Sequence, residues 1–187
     1  PDPVQANDTE YHQRRTGLNG YPNPGFVTLG KTLTQLWQDH QTGGVQRSRP
    51  VEETRLNTYL RMVYSKWQLR EVLADFWLNH FNVYGFEMYT QETFVHYDRD
   101  VIRKHTFGSY KDMLLASAKH PAMLQYLNQA ESNKYAPNEN YARELLELFS
   151  VGVDMLKEDG SPQLDAKGRP VPAYEQEAIE ELARVFT

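Results

Sequence analysis

From Leu29 to Phe149 the apolar residues of this chain recur at three and four positions, and period-two alternation is almost absent. That spacing commits the chain to amphipathic helices, because only a 3.6-residue turn brings such positions onto one face. The clearest case is Asn138 to Gly152, Asn-Glu-Asn-Tyr-Ala-Arg-Glu-Leu-Leu-Glu-Leu-Phe-Ser-Val-Gly. Pro137 suits a first helical turn, where its missing N–H is not needed, and Gly152 is a stop. Ala142, Leu145, Leu146 and Phe149 form the apolar stripe. Glu139, Arg143 and Glu147 follow at intervals of four, so they meet on a second face, with Glu144 on its flank. Leu148 stands beside that face, which leaves two readings open. On a solvated face, losing Arg143 costs well under ~1 kcal/mol. In a buried lock, or in a site, the same loss costs roughly 3–5 kcal/mol.

The rest of the chain divides by its turn residues. Residues 1–30, with Pro3, Pro22, Pro24, Gly17, Gly20 and Gly25, keep no apolar period and read as an irregular arm. Tyr11, His12, Arg14, Arg15, Tyr21 and Phe26 are its docking candidates. Residues 31–187 read as one helical domain. Leu29, Leu33, Leu36 and Trp37 predict a short helix ended by Gly43-Gly44. Pro50 opens the next, with Glu52 and Glu53 in its first turn and Leu56, Tyr59, Leu60 and Val63 as its buried stripe. Leu69, Val72, Leu73, Phe76 and His80 predict the inward face of a third helix, flanked by Trp77, Asn79 and Phe81. A turn around Gly85 leads to a helix from Gln91 to Lys104 carrying Phe94, Val101 and Ile102. Ser109, with Asp112 three residues on, predicts a side-chain cap for a helix with Leu114, Leu115 and Ala118 inward. Pro121 restarts the chain with Met123, Leu124 and Leu127. Asp159-Gly160 and Lys167-Gly168 are turn signals, and Gln163-Leu164 with Pro170-Val171 predict one small β-hairpin. The last helix starts near Pro172 and carries Ile179, Leu182, Ala183 and Phe186. The fold class expected is all-α, a multi-helix, bundle-like domain with that hairpin near its C-terminal end.

Composition excludes several functions. A net charge of −5 gives no basic field for nucleic acid. The absence of cysteine removes disulfides and thiolate metal sites. No apolar run reaches the ~20 residues of a membrane span. There is no Gly-x-Ser-x-Gly elbow and no Gly-rich phosphate loop.

Four ordered blocks carry a resemblance. They are Leu69-Arg70-Glu71 with Phe76-Trp77-Leu78-Asn79-His80-Phe81; His120-Pro121-Ala122-Met123-Leu124-Gln125-Tyr126-Leu127; Pro137 to Leu148; and Asp165 to Val171, Tyr174 and Ala183-Arg184-Val185-Phe186-Thr187. Together they resemble the bacterial family catalogued as domain of unknown function 1800. That family continues from the last block into Gly-Trp, and its members are longer, so the chain is expected to be a fragment of a longer member. The resemblance implies an exported or periplasmic bacterial protein of unestablished activity.

Within those blocks the candidate functional residues are few. His80, beside Asn79 at the end of an aromatic helix, is a ligand or general-base candidate, or else a satisfied core histidine. Its carboxylate counterparts in kind are Glu139, Glu144 and Glu147, since bundles build metal sites from helical carboxylates facing a histidine. This gives His80, Glu144 and Glu147 as catalytic candidates, and His80 and Glu144 as ligands to a divalent metal. The pattern lacks Glu-x-x-His and His-Glu-x-x-His. Asn79, His120, Asn138, Glu139 and Arg143 are binding candidates, although His120 before Pro121 also suits a helix boundary. His96 suits a surface or pair-forming role. Asp98 and Asp100, two apart on a helix, point to different sides. Two functions follow: a binding or assembly module engaging a protein partner or the remainder of its own longer chain, or a metal-assisted hydrolase or redox enzyme using His80 and the Glu139–Glu147 helix.

Overall fold

A computed structural model describes residues 26–187. Most of the expected arm, including Tyr11, His12, Arg14, Arg15 and Tyr21, lies outside the described residues. Eight α-helical segments make up the described chain: α1 (Leu33–Thr42), α2 (Arg49–Tyr64), α3 (Gln68–His80), α4 (Phe94–His96), α5 (Tyr110–Ala118), α6 (Pro121–Tyr126), α7 (Glu139–Glu147) and α8 (Gln176–Val185). α4 runs on into a π-helix over Tyr97–Arg103. The chain forms two compact units, Pro1–Met123 and Leu124–Thr187.

In the first unit, α1 begins with a reciprocal cap. The Thr32 hydroxyl accepts from the Gln35 N–H at 3.2 Å, and the Gln35 side-chain oxygen accepts from the Thr32 N–H at 2.9 Å. Gly43 ends the helix at φ 69°, a left-handed conformation that costs glycine little. The segment before α1 is tied to α2 through Glu53. This buried carboxylate accepts from the Val27 N–H (3.1 Å), the Thr28 N–H (2.8 Å), the Thr28 hydroxyl (2.6 Å) and Arg49 Nε (2.6 Å). Gly85 packs so closely on Val51 and Phe94 that a Cβ there would meet the Phe94 ring at 2.9 Å.

α3 packs against α2 and against the π-helix, and the π-helix also packs against α5. Phe94, Val101 and Ile102 are buried as expected, together with Val51, Phe81, Tyr97 and Met113. Two of the expected faces are turned in part, with Leu56 of α2 and Leu73 and His80 of α3 half-buried. α2 buries Glu53, Thr54, Asn57 and Arg61 beside Leu60, while Tyr59 and Val63 are exposed. α3 buries Glu71 and Ala74, and Leu69, Val72 and Phe76 of its apolar stripe face outward. On α2 the cause is the anchoring of Glu53, and on α3 it is an ionic cluster. Arg103, from the π-helix, donates through Nη1 to Glu71 Oε2 at 2.7 Å and through Nε to Asp98 Oδ2 at 2.9 Å. All three side chains are buried. A π-helix sets residues five apart nearly above one another, which aligns Asp98 with Arg103. Both the charge of Arg103 and the orientation of α3 are thereby fixed. Burial works against the Arg103 charge, but the carboxylates of Asp98 and Glu71 outweigh it and raise its pKa.

α5 turns Met113 and Ser117 inward, with Leu115 exposed in place of the inward position expected for it. Ser109 does not cap it through its side chain; its backbone carbonyl accepts from the Asp112 and Met113 N–H groups instead. Tyr97 is fixed through its hydroxyl, which donates to the Phe81 carbonyl at 2.7 Å and lies 2.9 Å from Ser117 Oγ.

In the second unit, α7 and α8 pack face to face around Ala142, Ile179 and Ala183, with Leu146, Tyr174 and Leu182 against them. The Phe186 ring meets Tyr141 edge-on at 5.4 Å. The Asn138 side chain caps α7 by accepting from the Asn140 N–H at 2.9 Å. Among the described residues no strand forms. The expected hairpin is replaced by isolated antiparallel bridges, Asp154 with Pro172, Leu156 with Pro162 and Leu164 with Pro170. Each contains a proline, which cannot donate to a ladder, so none of them extends.

Replacing Arg103 with Met is expected to cost roughly 3–5 kcal/mol, because two buried carboxylates lose their cation. The check is a urea titration beside Arg169→Met, whose Asp165 pair is exposed and should shift by less than ~1 kcal/mol. Equal shifts for the two would remove the ionic cluster as the determinant of this unit.

Candidate functional site

The outer side of α3 is the largest departure from the expected packing. Leu69, Val72 and Phe76 are 65%, 63% and 55% exposed, and Trp67, just ahead of the helix, is 59% exposed. Their spacing of three and four puts the helical three on one face. α2, packed beside α3, adds exposed Tyr59 and Val63. At the end of the stripe, His80 stacks parallel to Phe76 (6.4 Å between centroids) and edge-on to Phe81 (4.8 Å). His80 Nε2 lies 3.0 Å from the Tyr110 hydroxyl. Burial lowers its pKa. Asn79 turns back on its own helix, donating to the Asp75 carbonyl at 2.8 Å.

His120 stands at the start of α6. Its Nδ1 accepts from the Ala122 N–H at 3.2 Å, which is the helix-boundary role expected of it. Its ring lies 5.2 Å from that of Tyr97. Burial, and next the nearby His96, hold its pKa down at about 4. His96 is buried and pair-forming: its Nδ1 lies 3.0 Å from Asp100 Oδ2 and its Nε2 3.0 Å from the Lys31 carbonyl. Arg99 holds the other side of Asp100, with Nε 2.8 Å from Oδ1. For Asp100, burial alone would raise the pKa, but hydrogen bonds from Arg99 and His96 lower it. Asp98 and Asp100 do point apart: Asp98 is buried against Arg103 and Asp100 is exposed.

The charged face of α7 belongs to the second unit and is half-exposed. Arg143 Nη2 lies 3.2 Å from Glu139 Oε2 and Nη1 3.6 Å from Glu147 Oε1, and the Arg143 side chain is 37% exposed. α8 completes the network through Gln176, which accepts from Arg143 Nη2 at 3.0 Å and donates to Glu139 Oε2 at 2.9 Å. Glu144 is half-buried on the flank. Of the two readings of this face, the partly solvated one matches the observed exposure; the buried ionic cluster of this chain is built on Arg103 instead. Burial, and next the Glu147 carboxylate, raise the Tyr174 pKa.

His80, Asn79 and His120 therefore lie in the first unit, and Asn138, Glu139, Arg143, Glu144 and Glu147 in the second. Among the described residues no group of three or more His, Asp or Glu side chains is arranged to hold a metal ion. Sequence reasoning missed Glu71, Arg103 and the pairing of His96 with Asp100. The last of these has a signal in its spacing of four; the first two are 32 residues apart and have none.

Two expectations follow. Arg143→Met should lower stability by less than ~1 kcal/mol in urea, since its partners remain partly solvated; a loss near that of Arg103→Met would restore the buried reading. His120 gives a pH dependence. Its folded pKa lies below the ordinary 6.5, so the unfolded chain takes up the proton first as pH falls. Its contribution is complete above about pH 6.5 and is lost as pH falls towards about 4, on the order of 1–3 kcal/mol in all. His120→Asn, which keeps an acceptor for the Ala122 N–H, should flatten the profile across that window, and NMR titration of the His120 ring should give a midpoint near its lower end.

No curated protein and no solved structure matches this chain. One family model, described as protein of unknown function (DUF1800), matches residues 3–187, nearly the whole chain, and the chain belongs to that family.

Proposed function

We propose that this domain is a helical binding module, exported from a bacterial cytoplasm, that docks an amphipathic helix of a protein partner on the outer face of α3. The observation that supports it is the outward stripe of Leu69, Val72 and Phe76, each more than half exposed in a helix whose inner side is occupied by Glu71 and Ala74. A contiguous exposed apolar face marks an interaction surface more often than isolated exposed residues do. The stripe runs about 10 Å along the helix axis and is one residue row wide, the shape that a partner helix fills with its own row. Covering each of these side chains contributes roughly 1.5–3 kcal/mol, enough for three or four of them to anchor a helix in a groove. Export is the expectation carried by the family resemblance.

Site-specific photocrosslinking in the source cell tests this. A photoreactive residue at Leu69 or Val72 is expected to give one discrete protein adduct in the exported fraction, and one at exposed Glu158 none. Adducts only with a second copy of this chain, or identical patterns at both sites, would overturn the reading. The paired substitution Leu69→Glu and Val72→Glu should abolish the adduct formed from a crosslinker at Phe76. It should change stability by less than ~1 kcal/mol, because both positions are exposed.

A further inference from the structure

In the second unit, residues 153–173 carry a short repeat. Leu156, Gly160 and Pro162 recur eight positions on as Leu164, Gly168 and Pro170. The backbone follows the same period. Met155 N–H donates to the Val171 carbonyl (2.8 Å), Val171 N–H to the Gln163 carbonyl (2.9 Å) and Gln163 N–H to the Met155 carbonyl (2.8 Å). These three residues close a ring of hydrogen bonds. Three paired segments extend from the ring like arms, each closed by one further bond: Lys157 N–H to the Ser161 carbonyl, Asp165 N–H to the Arg169 carbonyl and Ala173 N–H to the Val153 carbonyl, all at 2.8 Å. Two arms end in tight turns, with Gly160 at φ 79° and Gly168 at φ 76°. Aspartates brace those turns. Asp159 Oδ1 accepts from the Ser161 N–H at 2.9 Å, and Asp165 Oδ1 from the Lys167 N–H at 2.7 Å.

The bridges Leu156–Pro162, Leu164–Pro170 and Asp154–Pro172 are each flanked by two of these bonds. In a pair of that kind both side chains stand on one face. Leu156, Pro162, Leu164, Pro170 and Pro172 are all exposed, whereas Gln163, Val171 and Ala173, which alternate with them, are half-buried. The three arms thus form a small pad whose apolar face is turned outward. Proline at an arm edge has no N–H to offer, so the pad is a poor template for an added strand and recognition is left to the face.

Pro170, Val171 and Pro172 also line an open groove of about 360 Å³, edged by Asp165 and Arg169. The Asp165 carboxylate is already occupied. Arg169 Nε and Nη2 donate to its Oδ2 at 3.0 and 2.8 Å, and the Arg169 N–H joins that of Lys167 on Oδ1. Arg169 is less fully used. Its side chain is 69% exposed, and among the described residues its Nη1 has no hydrogen-bond partner. The capacity left at the groove is therefore a charged donor beside apolar surface. A carboxylate next to an apolar side chain matches it. Proline rings are matched in peptide recognition by flat aromatic side chains. Five exposed side chains are far fewer than the roughly 20–30 residues a side of a standard interface, so the pad has the size for a short segment and not for a second copy of the chain.

We propose that this pad docks a short extended segment of a protein partner in which an aromatic residue adjoins an aspartate or glutamate. The aromatic ring covers Leu164, Pro170 and Pro172, and the carboxylate accepts from Arg169 Nη1. The site is separate from the α3 face, which belongs to the first unit.

The test pans a random heptapeptide library, displayed on phage, on the 187-residue chain. Enriched sequences are expected to place Trp, Tyr or Phe beside Asp or Glu. The leading sequence, made as a synthetic peptide, is then titrated by fluorescence anisotropy. Leu164→Glu should weaken it about 10-fold or more, since the covered leucine is lost and a like charge faces the peptide. Changing the acidic residue of the peptide to its amide should weaken binding to the wild type about 10-fold. The same change should have no effect on binding to Arg169→Gln, a coupling that a merely structural arginine would not give. The paired substitution Leu69→Glu and Val72→Glu should leave binding unchanged, which keeps this result apart from helix docking on α3. Enrichment without an aromatic–acidic pair, binding untouched by Leu164→Glu, or an equal acid-to-amide loss on the wild type and Arg169→Gln overturns the proposal. So does a wild-type dimer in sedimentation that Leu164→Glu dissociates, because the face then belongs to a second copy. Should Leu164→Glu unfold the arms, the Arg169→Gln comparison alone decides.

Discussion

The first unit is arranged around a buried guanidinium. Arg103 cannot give up its charge, and it sits where water cannot reach it, so its two carboxylate partners must be delivered by the fold. One comes from its own element, because the π-helix aligns Asp98 with it at an interval of five. The other, Glu71, must come from α3, and only one rotation of α3 supplies it. Substituting an ideal α-helix over Tyr97–Arg103 would turn Asp98 away from Arg103. The unusual helix and the buried charges are thus one feature. Charge burial of this kind is a poor source of net stability, because desolvation offsets most of the Coulombic gain; its effect is to make other arrangements worse. A slip of α3 by one residue would leave Arg103 facing a side chain without a negative charge.

This explains what was legible in the sequence and what was not. Several helix ends follow from local rules: Gly43 ends α1, Pro50 lies in the first turn of α2, and His120 bounds α6, whereas α8 begins at Gln176 and not near Pro172. Which face of a helix turns inward is decided elsewhere. Hydrophobic periodicity assigns Leu69, Val72 and Phe76 to the core, since it scores burial by polarity and cannot register an ion pair 32 residues away. The same failure recurs on α2, where Glu53 is drawn inward by the N–H groups of Val27 and Thr28. The Glu139–Arg143–Glu147 row shows the complementary limit. Spacing predicts the pairing correctly, and it says nothing about whether water reaches it.

Strand formation failed for a reason that was legible. Turn signals at Asp159-Gly160 and Lys167-Gly168 are real, and the backbone does pair around them, with Asp165 donating to the Arg169 carbonyl at 2.8 Å. Pro162, Pro170 and Pro172 each occupy a bridge position and withhold a donor. Counting prolines against the ladder would have predicted bridges without strands. The candidate sites were harder. His80 stands out in the sequence because it ends an aromatic helix. Glu71 and Arg103 carry no local signal, because the two halves of their pair lie 32 residues apart.

The inward turn of Glu71 also bears on function. In a helix whose apolar stripe is buried, stability and surface are coupled: altering the stripe alters the core. α3 separates the two. Its inner side is held by Glu71 and Ala74, so Leu69, Val72 and Phe76, each more than half exposed, contribute little to folding. A purely apolar inner face would compete with Leu69, Val72 and Phe76 for the interior, and a rotated helix with the apolar stripe buried would then be a close alternative fold. Placing a carboxylate inside, opposite a cation that must be matched, raises that alternative by the cost of an unpaired buried Arg103, roughly 3–5 kcal/mol. The ionic cluster therefore acts as the device that keeps an apolar face on the outside of the domain.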